Sequence, residues 1–264
     1  MIQLTINGKQ VSVPEGTTVL RAAEAAGITI PTLCDHPDLT PFGGCRLCLV
    51  EVKGARSAST ACTLQATQGM EVQTESPALT KSRRWILQML LASTFDGGYK
   101  QDKVETQLEH WAKQYKVALK KYRAKEPKYT INSDPNPFVW VDKNKCIDCT
   151  RCVRACTEIQ GRNVWGMYGR GADTQPAPGP NLPSLEARCE SCGACVAYCP
   201  AGALDYKMSI DILPPEKKVT TTCTYCGVGC QFDLNVRDNR VVRVTSNHDA
   251  PVNGMHLCVK GRFG

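Results

Sequence analysis

The 264-residue sequence has no long hydrophobic run. Its longest apolar stretch, residues 85–92, is broken by Gln88, whereas a membrane-spanning helix needs about 20 mostly apolar residues. No span is expected. The opening MIQLTINGKQ lacks the basic start and apolar core of a secretory signal. Signatures of common enzyme sites are missing as well. There is no G-x-x-x-x-G-K-S/T phosphate loop and no G-x-S-x-G nucleophile elbow. The four histidines, His36, His110, His248 and His256, are dispersed. GMYGRG, which contains Gly166, Gly169 and Gly171, follows a cysteine motif instead of opening a dinucleotide-binding helix, and reads as a turn.

Cysteine is the residue in excess. There are sixteen, and without an export signal the expected compartment is the reducing cytoplasm, where disulfides do not persist. They fall into four groups of four. These are Cys34, Cys45, Cys48 and Cys62; Cys146, Cys149, Cys152 and Cys156; Cys189, Cys192, Cys195 and Cys199; and Cys223, Cys226, Cys230 and Cys258. None is left over, and none lies between residues 63 and 145. Scattered core cysteines would not sort into complete tetrads, so the expectation is metal binding.

The formal charge of +7 invites a nucleic-acid reading. Metal-bound cysteines are thiolates, however, and four of them around an iron–sulfur core of about +2 leave about −2 per site. Four sites would bring about −8 and leave the loaded chain near neutrality. The basic excess then compensates clusters, and no nucleic-acid partner is expected.

The length suggests two or three units, and the pattern along the chain predicts an α+β protein. Residues 1–78 read as a small β-rich domain. MIQLTING and KQVSVPEG alternate around Asn7-Gly8, a strong hairpin signal. A short Ala-rich helix, VLRAAEAAG, stops at Gly27, and LCLVEVKG and MEVQTES read as further strands. Residues 79–130 read as a helical linker, amphipathic over 81–93. In its second part Val104, Leu108, Trp111, Tyr115, Leu119 and Tyr122 form one continuous helical stripe, with Lys103, Lys113, Lys116, Lys120 and Lys121 on the other face. Residues 131–212 hold eight cysteines in two similar motifs, with a Pro/Gly-rich surface loop expected at 175–183. Residues 216–264 form a last small β-rich unit whose FDLNVRDNRVVRV predicts a hairpin turning at Asp238-Asn239.

The middle motifs carry the strongest signal. CIDCTRCVRAC and CESCGACVAYCP both have C-x2-C-x2-C-x3-C spacing, the bacterial two-cluster ferredoxin run in which the fourth cysteine serves the other cluster. Cys146, Cys149, Cys152 and Cys199 should therefore hold one [4Fe–4S] cluster, and Cys189, Cys192, Cys195 and Cys156 a second. Zinc prefers two separated C-x2-C pairs and fits this run poorly. The first tetrad, C-x10-C-x2-C-x13-C, keeps the central pair of a plant-type [2Fe–2S] site with a longer first loop. The last, Cys223, Cys226, Cys230 and Cys258, is C-x2-C-x3-C-x27-C. For these two outer tetrads zinc remains an alternative.

TLCDHP, GGCRLCLVEV and ACTLQA, on a β-grasp pattern, resemble the [2Fe–2S] domain of the large iron–sulfur subunit of respiratory NADH dehydrogenase. The same domain begins many NAD-linked hydrogenases and formate dehydrogenases. CTYCGVGC followed by HLCVKGRFG resembles the N-terminal [4Fe–4S] site of molybdopterin oxidoreductases, formate dehydrogenases above all. In that family the lysine after the last cysteine lies between cluster and pterin, a position Lys260 matches. The resemblance departs at one point inside the chain. A further cluster held by one histidine and three cysteines is usual after the [2Fe–2S] domain, but residues 93–117 have only His110, which reads as a solvent or packing residue.

The resemblance implies a β-grasp [2Fe–2S] domain, a helical linker, a two-cluster ferredoxin domain and a small [4Fe–4S] domain. It implies one [2Fe–2S] and three [4Fe–4S] clusters in a hetero-oligomeric oxidoreductase. FMN is expected in a flavin subunit linked to NAD(H) or ferredoxin, and a molybdenum or tungsten pterin in a formate-converting catalytic subunit. An accessory subunit of an NAD-linked hydrogenase or NADH-dehydrogenase-like complex is the second expectation, and a zinc-stabilised scaffold the third. Because the sequence given stops six residues after Cys258, no complete active site is expected within it.

Overall fold

The computed structural model describes residues 1–98 and 105–264, which group into two compact units. Val104 of the expected stripe and Lys103 of its opposite face lie outside the described residues.

The first unit comprises Met1–Ser93 and Gln107–Arg123. Strands β1 (Ile2–Ile6) and β2 (Lys9–Val13) pair antiparallel from Ile2 opposite Val13 to Ile6 opposite Lys9. Their turn places Asn7 at φ 51° and Gly8 at φ 81°, the left-handed pair that a two-residue hairpin demands. Every second side chain, Leu4, Ile6, Val11 and Val13, enters the core. Helix α1 (Val19–Ala25) starts where the Thr18 hydroxyl accepts the Arg21 N–H. It ends where Gly27 turns to φ 74°. Its Val19, Leu20, Ala22 and Ala23 complete the same core. Strands β3 (Leu49–Val52), β4 (Ser59–Thr60) and β5 (Glu71–Gln73) extend the sheet in the order β2-β1-β5-β3-β4. β5 runs parallel to β1 and antiparallel to β3.

Helix α2 (Pro77–Ala92) has Ser76 as its cap and Pro77 in its first turn, and buries Leu79, Arg83, Leu87 and Leu91. Arg83 is fully buried. It donates to the carbonyls of Leu49 (2.7 Å) and Thr74 (2.8 Å), to Glu75 (2.9 Å) and to the Tyr115 hydroxyl (2.9 Å). The continuous helix expected through Tyr122 is instead two pieces, α3 (Gln107–Gln114) and α4 (Leu119–Tyr122). Lys116 adopts φ 55°, and the Val117 N–H bonds back to Ala112 at 2.8 Å, a left-handed stop. The Trp111 indole N–H reaches the Thr32 carbonyl.

The second unit comprises Ala124–Gly264 and the described part of Thr94–Thr106. Strand β6 (Val139–Val141) precedes α5 (Arg151–Arg154), which runs on into a π-turn over Ala155–Ile159. Strands β7 (Trp165–Tyr168) and β8 (Gln175–Pro178) pair antiparallel. The 175–183 stretch is therefore not all surface loop. Pro176, Ala177 and Pro178 are buried in a two-stranded ribbon, where an edge strand tolerates proline because its missing N–H faces away from the ladder. Gly166 likewise sits in β7, and the turn expected of GMYGRG begins only at Gly169, φ 82°. Helix α6 (Ala194–Tyr198) leads to β9 (Leu204–Tyr206), which pairs with β6 and so joins the two ends of the duplicated region. A three-stranded meander follows: β10 (Lys217–Thr222), β11 (Gln231–Arg237) and β12 (Arg240–Ser246). It turns at Asp238 (φ 48°) and Asn239 (φ 56°). Helix α7 (Val259–Phe263) closes the unit. No described helix is long and apolar enough to cross a membrane.

Candidate iron–sulfur sites

Cys34 follows α1, Cys45 and Cys48 lie on the loop that enters β3, and Cys62 follows β4. All four are buried. The loop turns tightly through Gly43 (φ 71°) and Arg46 (φ 60°), and a side chain on Gly44 would strike the Phe42 ring. Backbone amides face the sulfurs: the Cys34 N–H donates to Cys45 Sγ (3.4 Å) and the Cys45 N–H to Cys34 Sγ (3.5 Å). The thiols also bond to one another. Hydrogen bonding to Cys34, then burial, pushes Cys45 up. Cys62 rises through its bonds to Cys34 and Cys48. Cys34 and Cys48 fall because they accept from those partners. Four buried sulfurs this close cannot all be anionic without a positive core between them. Beside them, burial raises the Asp35 carboxyl although Arg21 pairs with it.

The two middle motifs share one backbone. In the first loop Asp148 and Thr150 are left-handed, at φ 51° and 58°. In the second, Ser191 and Gly193 repeat this at 55° and 71°. The Asp148 N–H meets Cys146 Sγ at 3.4 Å, and the Ser191 N–H meets Cys189 Sγ at 3.3 Å. Each loop feeds a short helix that carries the third cysteine, Cys152 or Cys195. Cys156 lies in the π-turn with the Val164 N–H on its sulfur, and Cys199 ends α6.

Cys199 lines one cavity together with Cys146, Cys149 and Cys152, walled by Val141, Ile147, Trp165 and Leu204. Burial pushes Cys152 up, reinforced by Cys149, Cys146, Cys199 and Cys195. Burial likewise raises Cys195, reinforced by Cys192, Cys189, Cys156 and Cys199. Among the described residues no three His, Cys, Asp or Glu side chains converge as they would on a single ion.

The last four cysteines border the meander. Cys223 ends the approach from β10 and bonds through its N–H to the Cys230 carbonyl, while Cys226 is exposed. Cys258 caps α7, its sulfur accepting the Gly261 N–H at 3.5 Å. Burial, then Cys223, Cys226 and Cys258, raises the Cys230 thiol. Lys260 is exposed on α7. Of the histidines, His110 is exposed with its ring edge-on to Trp111, and His256 stacks on Tyr198.

Some site residues carry no sequence signal. Asn136, fully buried, donates to the hydroxyls of Ser184 and Ser191 and so fixes the loop between Cys189 and Cys192. Arg83 and Arg262, with Arg151 beside Cys152, are buried arginines in a sequence whose basic residues read as surface. Only the position of Arg262, four residues after Cys258, could have drawn attention to it.

Known proteins share this geometry. A family described as "2Fe-2S iron-sulfur cluster binding domain" matches residues 1–77. "NADH-quinone oxidoreductase subunit 3, ferredoxin-like domain" matches 136–205, and "Molybdopterin oxidoreductase Fe4S4 domain" matches 216–264. An NADH-quinone oxidoreductase subunit of Rhizobium meliloti is 37% identical over 270 residues, covering 100% of this chain and 31% of the relative. The alpha subunit of the NADPH-Fe(3+) oxidoreductase of Geobacter sulfurreducens is 37% identical over 274 residues, again covering 100% of this chain and 31% of the relative. The chain thus spans about a third of the curated relatives it matches. A chain of the NAD+-reducing [NiFe]-hydrogenase in its H2-reduced state superposes with a TM-score of 0.70 at 30% identity, covering 82% of this chain and 92% of that one. With three matching domains in order and a solved relative covered almost end to end, the chain belongs to the iron–sulfur subunits of the NADH dehydrogenase type and corresponds to the N-terminal iron–sulfur region of the family's long members.

Proposed function

We propose that this region is a four-cluster relay for single electrons. Cys34, Cys45, Cys48 and Cys62 would hold a [2Fe–2S] cluster. Cys146, Cys149, Cys152 and Cys199 would hold a [4Fe–4S] cluster, as would Cys189, Cys192, Cys195 and Cys156, and Cys223, Cys226, Cys230 and Cys258. The observation that carries this reading is the crossing of Cys199 into the cavity of the first ferredoxin motif. A walled, mostly apolar space with four sulfurs on it suits a cuboidal core better than one zinc ion.

The clusters, when bound, supply one-electron chemistry. The chain supplies thiolates, backbone N–H donors to sulfur and apolar walls that limit water, the levers by which a protein sets a cluster's potential. Amides on Cys34, Cys45, Cys146, Cys156 and Cys189 sulfurs favour the more negative, reduced state. Sixteen cysteines without a disulfide suit a reducing compartment, the cytoplasm.

The relatives' names support an electron partner linked to NAD(P)H on one side, which the family resemblance implies to be a flavin subunit. A second observation favours a pterin-bearing unit at the other end: the molybdopterin-type match over 216–264, with Cys226, Cys258 and Lys260 exposed together on that domain. Formate conversion would then be the terminal chemistry, with Lys260 as the electrostatic link between cluster and pterin. Without such a unit the chain would serve a hydrogenase or NADH-dehydrogenase-like complex.

Anaerobic reconstitution tests the relay. Full loading gives about 14 iron atoms per chain, the sum of one two-iron and three four-iron clusters. Iron at about four atoms or fewer overturns it. Co-purification of the full-length protein with its partners, analysed for flavin and for molybdenum or tungsten, separates the two terminal chemistries.

A further inference from the structure

Arg262 is only 2% exposed, one of the two largest fully buried side chains. It sits on α7 four residues after Cys258, yet its guanidinium reaches away from that helix. Nε donates to the carbonyl of Cys192 (2.9 Å), and Nη1 to the Tyr206 hydroxyl (2.9 Å). Nη2 donates to the Ser246 hydroxyl (2.9 Å) and the Met255 carbonyl (3.4 Å). One side chain thus ties the loop of the third cysteine motif and β9 to the end of β12. The next residue adds to the joint: Phe263 stacks on Phe138 at 5.0 Å and meets Tyr206 edge-on at 5.6 Å. Gly193 makes room. A Cβ there would collide with Arg262 Cδ and lie 2.9 Å from both Arg262 Nε and the Phe263 ring.

All four acceptors are neutral, and no carboxylate among the described residues pairs with Arg262. A buried guanidinium without a counter-charge is costly, and nearby negative charge offsets that cost. The neighbouring group that supplies it is the thiolate set of which Cys192 is a member. Four thiolates around a core of about +2 leave about −2, and one more electron makes the set more negative still.

We propose that Arg262 is a positioning residue with two linked effects. It pins the Cys258 helix to the Cys192 loop, fixing the fourth cysteine group against the third, and its fixed positive charge raises the reduction potential of the cluster held by Cys156, Cys189, Cys192 and Cys195. This rests on the four-cluster relay proposed above. The charge favours the reduced state because the added electron is attracted to it through a medium that excludes water. The pin keeps two clusters at one fixed separation, the quantity to which electron tunnelling is most sensitive.

The test uses the full-length protein with Arg262→Gln, Arg262→Lys and, as a control, the exposed Arg170→Gln. Iron is counted first. Each protein is then titrated with dithionite, a one-electron donor at each step, and followed by EPR, the relevant signal being the one lost in Cys156→Ser. The expected result is a lowered midpoint in Arg262→Gln at unchanged iron, a midpoint in Arg262→Lys nearer wild type, and no shift in Arg170→Gln. Rapid-freeze reduction of the terminal cluster should slow at least tenfold in Arg262→Gln. Full iron with an unshifted midpoint overturns the proposal and leaves the relay standing. Wild-type iron at about four atoms per chain overturns the relay itself. If the glutamine variant fails to load, the lysine variant decides: a wild-type-like midpoint supports the role of charge, and a midpoint lowered at full iron refutes it.

Discussion

Arg83 Nη2 donates a 2.7 Å hydrogen bond to the carbonyl of Leu49, the residue directly after Cys48. The helix that follows the first cysteine domain is thereby fastened to the strand that directly follows one of its cysteines. Arg83→Met leaves the Leu49 and Thr74 carbonyls without this donor. Unsatisfied buried groups cost about 1–3 kcal/mol each, so a loss of about 2–6 kcal/mol is expected for the two. The Glu75 contact adds little because that side chain is 59% exposed. Denaturation of the reconstituted protein, monitored by the visible circular dichroism of the [2Fe–2S] cluster, checks this, and an unchanged midpoint refutes it.

The β11–β12 turn can be strengthened. Asp238 and Asn239 both take positive φ, and glycine pays no steric penalty there. Asn239→Gly should stabilise the second unit by about 0.5 kcal/mol, since Asp-Gly is a favoured pair for this turn. A thermal melt that moves downward would show that the Asn239 side chain contributes more than its backbone angle suggests.

Gly193→Ala should act in the opposite direction. The position combines φ 71° with the collision against Arg262 and Phe263. A strained backbone of this kind costs about 1–3 kcal/mol, so lower iron retention on mild heating is expected. Gly166→Ala, on β7 and also meeting open space, is the control. Equal behaviour of the two variants would refute the packing argument.

The crossed ligand sets make a spectroscopic prediction. Cys156→Ser should damage the cluster associated with Cys189, Cys192 and Cys195, although Cys156 belongs in sequence to the earlier motif. EPR loss confined to the cluster of Cys146, Cys149 and Cys152 would reverse the assignment.

What could be read from the sequence was whatever depends on spacing or on an obligatory turn. The Asn7-Gly8 hairpin, the end of α1 at Gly27 and the Asp238-Asn239 turn are all local, each fixed by residues that tolerate left-handed backbone. The cysteine tetrads stand out by spacing for a related reason: a metal core would dictate ligand number and loop length whatever the surrounding fold. The break at Lys116 was not legible, because lysine seldom adopts positive φ and the apolar spacing of Leu108, Trp111, Tyr115 and Leu119 runs through it undisturbed. Strand β8 was hidden by its prolines, which usually punctuate loops. The buried arginines were hidden for the opposite reason, since their partners are mostly backbone carbonyls and hydroxyls brought from distant segments.

The parallel pairing of β1 with β5 sets the order of assembly. Thr5 lies opposite Glu71, so every cysteine of the first tetrad falls inside the loop that this pairing closes. The hairpin of β1 and β2 can form as soon as it exists, but the walls around Cys34, Cys45, Cys48 and Cys62 are incomplete until the far end of the domain returns to its beginning. Closing so long a loop has an entropic cost that later contacts must repay. Until then the four thiols are accessible to oxidants and to whatever delivers iron. Cluster insertion and domain closure therefore compete on the same clock, and mutations that slow the return of β5 should show first as poor iron incorporation during expression, before any loss of stability in the finished protein.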